Sequence, residues 1–394
     1  MDWTPVPLRS PLEAYVAQAA RLLEAWRTGD AGALRFFKER HPRFLREDVP
    51  WLPRPLSESD IAAADLNDDD ARLATARGYD FADWEHLAVF VDSMRDTEAP
   101  VARFERAVDW VIDGDVEALR AALVDDPALV HVRSTRVTHF DPPRHNATLL
   151  HYVAANGVEG YRQRTPANAI DVARVLLDAG AVPDSVAQLY GGDCTTMALL
   201  VSSSVPARAG VQVALVDVLV DYGASVEPSG SGAWTSPVLT ALTFGYIDAA
   251  RALVRRGARV EAFSTAAGLG LLDEVTRRLP AANAEDRHRA LALAAQLGHV
   301  DVVRVLLDAG EDPDRYNPPQ AHSHSTPLHQ AVAGGHLDMV RLLVERGARL
   351  DVHDSLFEGT PLGWAEYLDK RAIAEYLGEV SRLRSQGSGI GPET

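Results

Sequence analysis

Five residues of the 394-residue sequence, His139, His145, Tyr152, Asp193 and Cys194, carry the acid–base and nucleophilic groups that an enzyme would use. Cys194 follows Gly191, Gly192 and Asp193 and precedes Thr195 and Thr196. It therefore stands beside an expected helix start, where the positive end of a helix depresses a thiol pKa and exposes a nucleophilic thiolate. The favoured reading is instead a small apolar residue filling space beside a core helix. His322 and His324 form a second group, because i, i+2 spacing puts both rings on one side of an extended strand, a geometry used for metals. Spacing fixes no third ligand. The candidate carboxylates Asp141, Asp193 and Asp354 lie in other segments, and no metal site is expected. No G-x-S-x-G, P-loop, G-x-G-x-x-G or H-E-x-x-H string occurs, and GLGLLDE at 268–274 lacks the preceding strand that a phosphate loop needs. The sequence thus names no cofactor, and an enzymatic role for His139, His145, Asp193 and Cys194 stays an alternative reading.

The elements that must position these residues recur along the chain. STPLHQAVAGGHLDMVRLLVERGARLD (325–351) contains T-P-L-H-x-A, a Gly-His pair, and an apolar-periodic helix closed by Gly. The pattern returns after 34 residues as GTPLGWAEYLDKRAIAEYL (359–377), and stands earlier as ATLLHYVAANG (147–157) continued by AIDVARVLLDAGAVPD (169–184). Further units run over 195–226, 236–261, about 261–279 and 289–313. FERAVDWVIDGDVEALRAALVDDPALV (104–130) is a divergent unit without the Thr-Pro start, echoed by RLLEAWRTGDAGALRFFKERHPRF at 21–44. Thr caps a helix N-terminus, Pro follows where its missing N–H costs nothing, and Gly180, Gly223, Gly257, Gly310 and Gly347 suit the left-handed residue that ends a helix.

This pattern resembles the ankyrin-repeat family. The resemblance implies an all-α solenoid of stacked helix-turn-helix units with short hairpin fingers, about seven units over 101–384, degenerate at 104–130 and 261–288. It also implies that His151 and His329 bond to local backbone and neighbouring repeats, and that His299 and His336 are structural in their Gly-His turns. Elsewhere Leu239, Ser264, Ala292 and Gly363 occupy the His slot.

Departures from the repeat are where function is expected, since loops on a rigid scaffold commonly carry it. VEGYRQRTPAN (158–168) inserts 11 residues between two helices, and the next unit is lengthened around SSSVPARAGVQ (202–212). By the resemblance both project over the concave groove. The fingers 132–148, 185–196, 227–236, 314–326 and 352–360 carry one aromatic each: Phe140, Tyr190, Trp234, Tyr316 and Phe357. Either these form a stripe suited to binding or they pack between fingers and stiffen the array. Repeat spacing falls to 25 residues from Gly245 to Gly270 and to 28 from Gly270 to Gly298, which leaves no room for full fingers and predicts a notch.

Composition narrows the partner. Lys plus Arg total 39 against 56 Asp plus Glu, a net charge of -17, which repels a phosphate backbone rather than gathering counterion-release energy from it. Cys194 is the single cysteine, so no disulfide framework exists and a reducing cytosol is expected. The first residues carry a charge and prolines where an export signal needs an apolar core, and no run of about 18 apolar residues offers a membrane span. Residues 1–100 read as a helical N-terminal module similar to one preceding ankyrin arrays in bacterial proteins, and 385–394 as a flexible tail. The leading expectation is a non-catalytic, cytoplasmic scaffold. It recognises a protein or peptide through a concave surface anchored by Phe140, Tyr152, Tyr190, Trp234, Tyr246, Tyr316 and Phe357. The alternative is a small-molecule or enzymatic pocket roofed by 158–168 and 202–212. Neither nucleic acid nor membrane is expected as a partner.

Overall fold

In the computed structural model, which describes residues 2–387, 56% of residues are helical and two short strands occur. The all-α expectation holds. Two compact units form: one from the N-terminus to Ser225 together with Ser229–Thr235, the other from Val226–Pro228 together with Ser236 onward.

The first unit begins with the helices Leu12–Arg27, Ala31–Arg40, Asp68–Gly78 and Trp84–Ser93. Their starts are written in the sequence. Asp30 accepts from Ala33 N at 3.0 Å, Asp83 from His86 N at 3.0 Å, and Asn67 and Asp70 cap each other's backbone in a capping box. Their apolar faces build one cluster around Leu22, Leu23, Phe37 and Phe44, and another around Tyr15, Tyr79, Phe81, Leu87 and Phe90. Three helix pairs follow: Pro100–Asp113 with Val116–Asp125, Leu149–Val153 with Ala169–Asp178, and Thr196–Leu200 with Gln212–Asp221. Between the second and third pairs, strands Val186–Leu189 and Gly192–Thr195 make an antiparallel hairpin in which Val186 faces Thr195 and Leu189 faces Gly192. The turn residues Tyr190 and Gly191 have φ of 54° and 75°, the two left-handed positions of the favoured two-residue hairpin turn.

The second unit holds five helix pairs, from Pro237–Thr243 with Ile247–Arg255 to Pro361–Tyr367 with Arg371–Gly387. Eight helix pairs are described across the two units, from Pro100 to Gly387. Fully buried alanines, including Ala266, Ala290, Ala294 and Ala331, let the helices approach closely, while Leu291, Leu306, Leu328 and Leu343 fill the space between layers. Thr326 and His329 bond through Oγ1 and Nδ1 at 2.9 Å, and His329 Nε2 reaches Gly359 O of the following finger at 3.1 Å. Thr148 and His151 repeat the first of these contacts at 2.8 Å in the other unit. Helix Phe263–Gly268 has no cap of its own. Asp286 of the next pair supplies it, accepting from Phe263 N at 3.1 Å and Ser264 N at 3.3 Å.

The notch expected over the short repeats is occupied. Finger 314–326 folds back across them: His322 Nε2 lies 2.8 Å from Thr243 O, and Thr243 Oγ1 donates to Gln320 O at 3.3 Å. Gln320 and His322 take left-handed φ values of 64° and 61° to make this turn. The last helix continues to Gly387, and the rest of the segment read as a tail, 388–394, lies outside the described residues.

Candidate functional site

The 158–168 insertion does not roof an enclosed pocket together with 202–212; its Val158, Gly160 and Gln163 form part of the wall of a half-open cleft. It straps onto the N-terminal helices and helix Pro100–Asp113, because its aromatic has partners in the first and its cation in the second. Tyr161 packs against the Tyr79 and Phe81 cluster, and its ring centroid lies 5.5 Å from that of Tyr79. Arg162, 2% exposed, places Nη1 2.5 Å from Glu105 Oε2 and Nη2 2.8 Å from Asp109 Oδ1. Arg136 completes the cluster, with Nη2 2.9 Å from Glu105 Oε2 and Nε 3.2 Å from Glu159 Oε1, its guanidinium 4.6 Å from the Phe90 ring centroid. Burial alone would raise the Glu105 carboxyl, but the two arginines hold it below the usual carboxylate range. The buried cluster is a positioning device that holds the insertion in place.

Next to the strap lies a half-open cleft of about 340 Å³, within the size range of ligand sites. Asp80, Phe140, His145, Gly160 and Tyr190 are among its walls, with Arg40 and Asp141 at exposed positions. The chain is folded to bring them together. Phe81 pairs with Thr138 in an isolated bridge and Ala82 N donates to Val137 O at 3.0 Å, which sets His139 beside Asp80. Thr138 N donates to Pro143 O at 2.7 Å, closing loop 138–145, and Gln188 N donates to His145 O at 2.8 Å, tying that loop to the hairpin. Gly160 N donates to Asp80 Oδ2 at 2.6 Å, while His139 Nε2 stands 3.6 Å from Oδ1, beyond hydrogen-bond reach. Two cleft residues other than glycine have positive φ: Asp80 at 62° and Tyr190 at 54°. Such conformations are retained where surrounding structure forces them, and they cluster at functional sites.

His145 lies within this cleft but is not a free base. Burial pushes its pKa down to about 4, and Nε2 is engaged with Thr138 Oγ1 at 3.2 Å. Cys194 is buried and its thiol is pushed up to about 11, chiefly by burial, with Sγ donating to Leu189 O at 3.3 Å. No activated thiol arises here, because the hairpin covers the sulfur. Asp193 is spent on the next finger, its N–H donating to Ser231 Oγ and its Oδ2 accepting from that hydroxyl, both at 3.0 Å. A side chain at Gly192 would strike the Ser231 backbone. Tyr152, expected on the concave face, is core instead: it is 1% exposed, T-stacked on Phe104, and its hydroxyl donates to Glu159 Oε1 at 3.2 Å. Residues 202–212 do not line the cleft; Gln212 Nε2 donates to Leu200 O and Ser203 O and folds them against their own repeat.

The remaining aromatics divide between the units. Phe140 and Tyr190 are exposed and Trp234 is half-buried in the first, while Tyr246 is half-buried and Tyr316 and Phe357 are exposed in the second. The exposed rings are nonetheless tethered. Tyr190 OH donates to Asn156 Oδ1 at 2.8 Å, and Tyr316 OH donates to His353 O at 2.5 Å. Under Phe357, buried Asp354 gathers the N–H groups of Leu356, Phe357 and Gly359 and the Trp364 indole N–H. His324 stacks at 6.0 Å from both Phe357 and Trp364, so it and the Thr243-bound His322 are structural, and no group of three metal-ligating side chains occurs among the described residues. Sequence reasoning missed Asp80, Arg40 and the Glu105 cluster. The legible signal was Glu105 itself, a charge on the apolar face formed by Phe104, Val108, Val111 and Ile112.

A family profile described as ankyrin repeats, in three copies, matches residues 207–354 and 291–382. The chain carries ankyrin repeats. No curated protein matches it. Ankyrin repeats generally mediate protein–protein interaction, and no helix of the described residues is long and apolar enough to cross a membrane. The earlier ankyrin units, from 100 to about 206, lie outside the matched residues and stand on their helix pairs and on the Thr148–His151 cap alone.

Proposed function

We propose that this ankyrin protein is a non-catalytic scaffold that recognises a protein or peptide through its first-helix and finger surface. The observation that carries the reading is the pairing of exposed rings with fixed loops. Tyr316 and Phe357 are 43% and 58% exposed, yet Tyr316 OH is bonded to the next finger and Ser355 N donates to His324 O at 2.8 Å. Aromatic anchors already held in place lose little entropy on binding, which is how hot-spot residues gain affinity. The pocket reading has less support, because Asp193, Cys194 and Tyr152 are committed to structural contacts.

The test is site-specific photo-crosslinking from Phe357 and Tyr316, with Arg304 on a second helix as control. Crosslinks to a defined protein from the finger positions, and at least tenfold weaker binding of that protein to the Tyr316→Ala/Phe357→Ala double variant, are expected. Equal crosslinking from Arg304, or unchanged affinity, would sink the reading.

A further inference from the structure

We propose that the cleft at Asp80 receives the cationic side chain, lysine or arginine, of a protein segment bound by this scaffold. The inference rests on the protein-recognition reading and adds the chemistry of what is recognised.

Asp80 supplies the charge. Its side chain is 16% exposed, so the carboxylate sits below the rim, and only Oδ2 is taken, by Gly160 N. Oδ1 faces His139 Nε2 at 3.6 Å and retains acceptor capacity. Two aromatic residues, Phe140 and Tyr190, 44% and 54% exposed, line the same cleft. A carboxylate that shares a cleft with aromatic rings can attract an ammonium or guanidinium group, through charge at the end and the ring quadrupole along the stem. A long alkyl stem also fits this geometry, since Lys and Arg bury their methylenes while the charged end seeks a partner.

The surrounding charges favour the same occupant. Asp141 adds a second carboxylate at the rim, and the whole chain carries a net charge of -17, which draws basic segments. His145, neutral in its buried setting, does not oppose a cation. Arg40 does, but it is exposed to solvent at the helix terminus, with its guanidinium over Phe36 at 5.9 Å. Tyr190 holds a left-handed turn position that Asn or Gly fills without strain, and its ring, more than half exposed, is fixed in the cleft wall by the hydroxyl bond to Asn156.

The experiment titrates the full chain, observed by amide TROSY spectra, with the capped peptides Ac-Gly-Xaa-Gly-NH2 in which Xaa is Lys, Arg, norleucine or Glu. Saturable shifts at Gly157, Gly160 and Tyr190 are expected with Lys or Arg and not with norleucine or Glu. Asp80→Asn keeps the acceptor for Gly160 N and tolerates the left-handed backbone, so it should retain the urea midpoint while weakening binding at least tenfold. Tyr190→Gly relieves the turn and removes the ring, and it too should bind more weakly. Equal binding of norleucine or Glu, wild-type affinity in Asp80→Asn, or no saturable shift with any peptide would overturn the proposal. A protein crosslinked at Phe357 whose affinity ignores Asp80→Asn overturns the cleft assignment alone, whereas cation binding without any finger crosslinks overturns the scaffold reading.

Discussion

Arg162 and Glu105, 57 residues apart in sequence, are buried against each other with Nη1 2.5 Å from Oε2. Their contact holds the 158–168 insertion on helix Pro100–Asp113. A buried pair is costly to break because the remaining charge stays desolvated, typically by about 3–5 kcal/mol. Arg162→Ala should therefore lose stability of that order in urea unfolding and expose the 158–168 segment to protease. A loss under about 1 kcal/mol would show that the contact does not hold the strap.

Glu105→Gln gives a separate expectation. It preserves shape but leaves Arg136 and Arg162 facing one another without their shared anion, with Arg136 3.2 Å from Glu159 as its remaining partner. Its destabilisation should be comparable to that of Arg162→Ala, and the double variant should cost much less than the sum, because the two residues act as one unit. Additive costs in the double-mutant cycle would contradict the coupling.

Cys194 should be inert in the native protein. With the thiol pushed up to about 11 by burial and bonded to Leu189 O, almost no thiolate exists at pH 7.5. A disulfide reagent such as DTNB should label it only after denaturation, and rapid labelling of native protein would restore the nucleophile reading. Cys194→Ala should fold, with a loss of about 1–2 kcal/mol for the buried sulfur.

What was readable in the sequence is what local chain chemistry determines. Thr326 and His329, and Thr148 and His151, sit three residues apart, so their caps are encoded in one motif. The finger aromatics Tyr316 and Phe357 were legible as exposed because they stand in polar loops. Pairings across the fold were not legible. Asp286 capping Phe263, His322 crossing to Thr243, and Arg162 reaching Glu105 join residues 23, 79 and 57 apart, and no spacing rule relates them. Tyr152 was misjudged for a related reason. In a helix of five residues neither face is settled by periodicity, and Glu159 and Phe104 decided which way it turned. Asp80 was invisible as a site residue because its importance comes from Gly160, which is 80 residues away.

Acid should destabilise the protein before its carboxylates are protonated. His151 is fully buried and, chiefly through desolvation, its pKa falls from 6.5 to about 4, as does that of His145. The unfolded chain takes up protons at these rings near pH 6.5 while the folded chain does so only near pH 4. Stability is therefore complete above about pH 6.5, declines as pH falls through that window, and levels off for these groups below about pH 4. His151 alone accounts for about 3 kcal/mol of this loss. Urea unfolding at pH 7.5, 5.5 and 4.5 should follow that course, and a His151→Gln variant, less stable at pH 7.5, should depend less on pH across the window. An unchanged slope in that variant would remove His151 as the source.

Asp354 should be the residue on which finger 352–360 depends. Burial raises its pKa, but the N–H donors of Phe357, Trp364, Gly359 and Leu356 outweigh that and hold the carboxyl below its usual range. Removing the side chain strands several partly buried donors at once, each worth up to about 1–3 kcal/mol when left unpaired and less where water reaches it. Asp354→Ala should thus destabilise the second unit by roughly 2–4 kcal/mol, and it should alter the Trp364 emission before global unfolding, because the indole loses its acceptor. Asp354→Asn replaces one charged acceptor oxygen with an amide donor, so it should fall between the two. If Phe357 matters to recognition through its fixed position, partner affinity should drop in both variants in the same order as the loop's stability, with Phe357 itself unaltered. Intact affinity in Asp354→Ala would separate the ring from the loop that carries it and leave pre-organisation without a role.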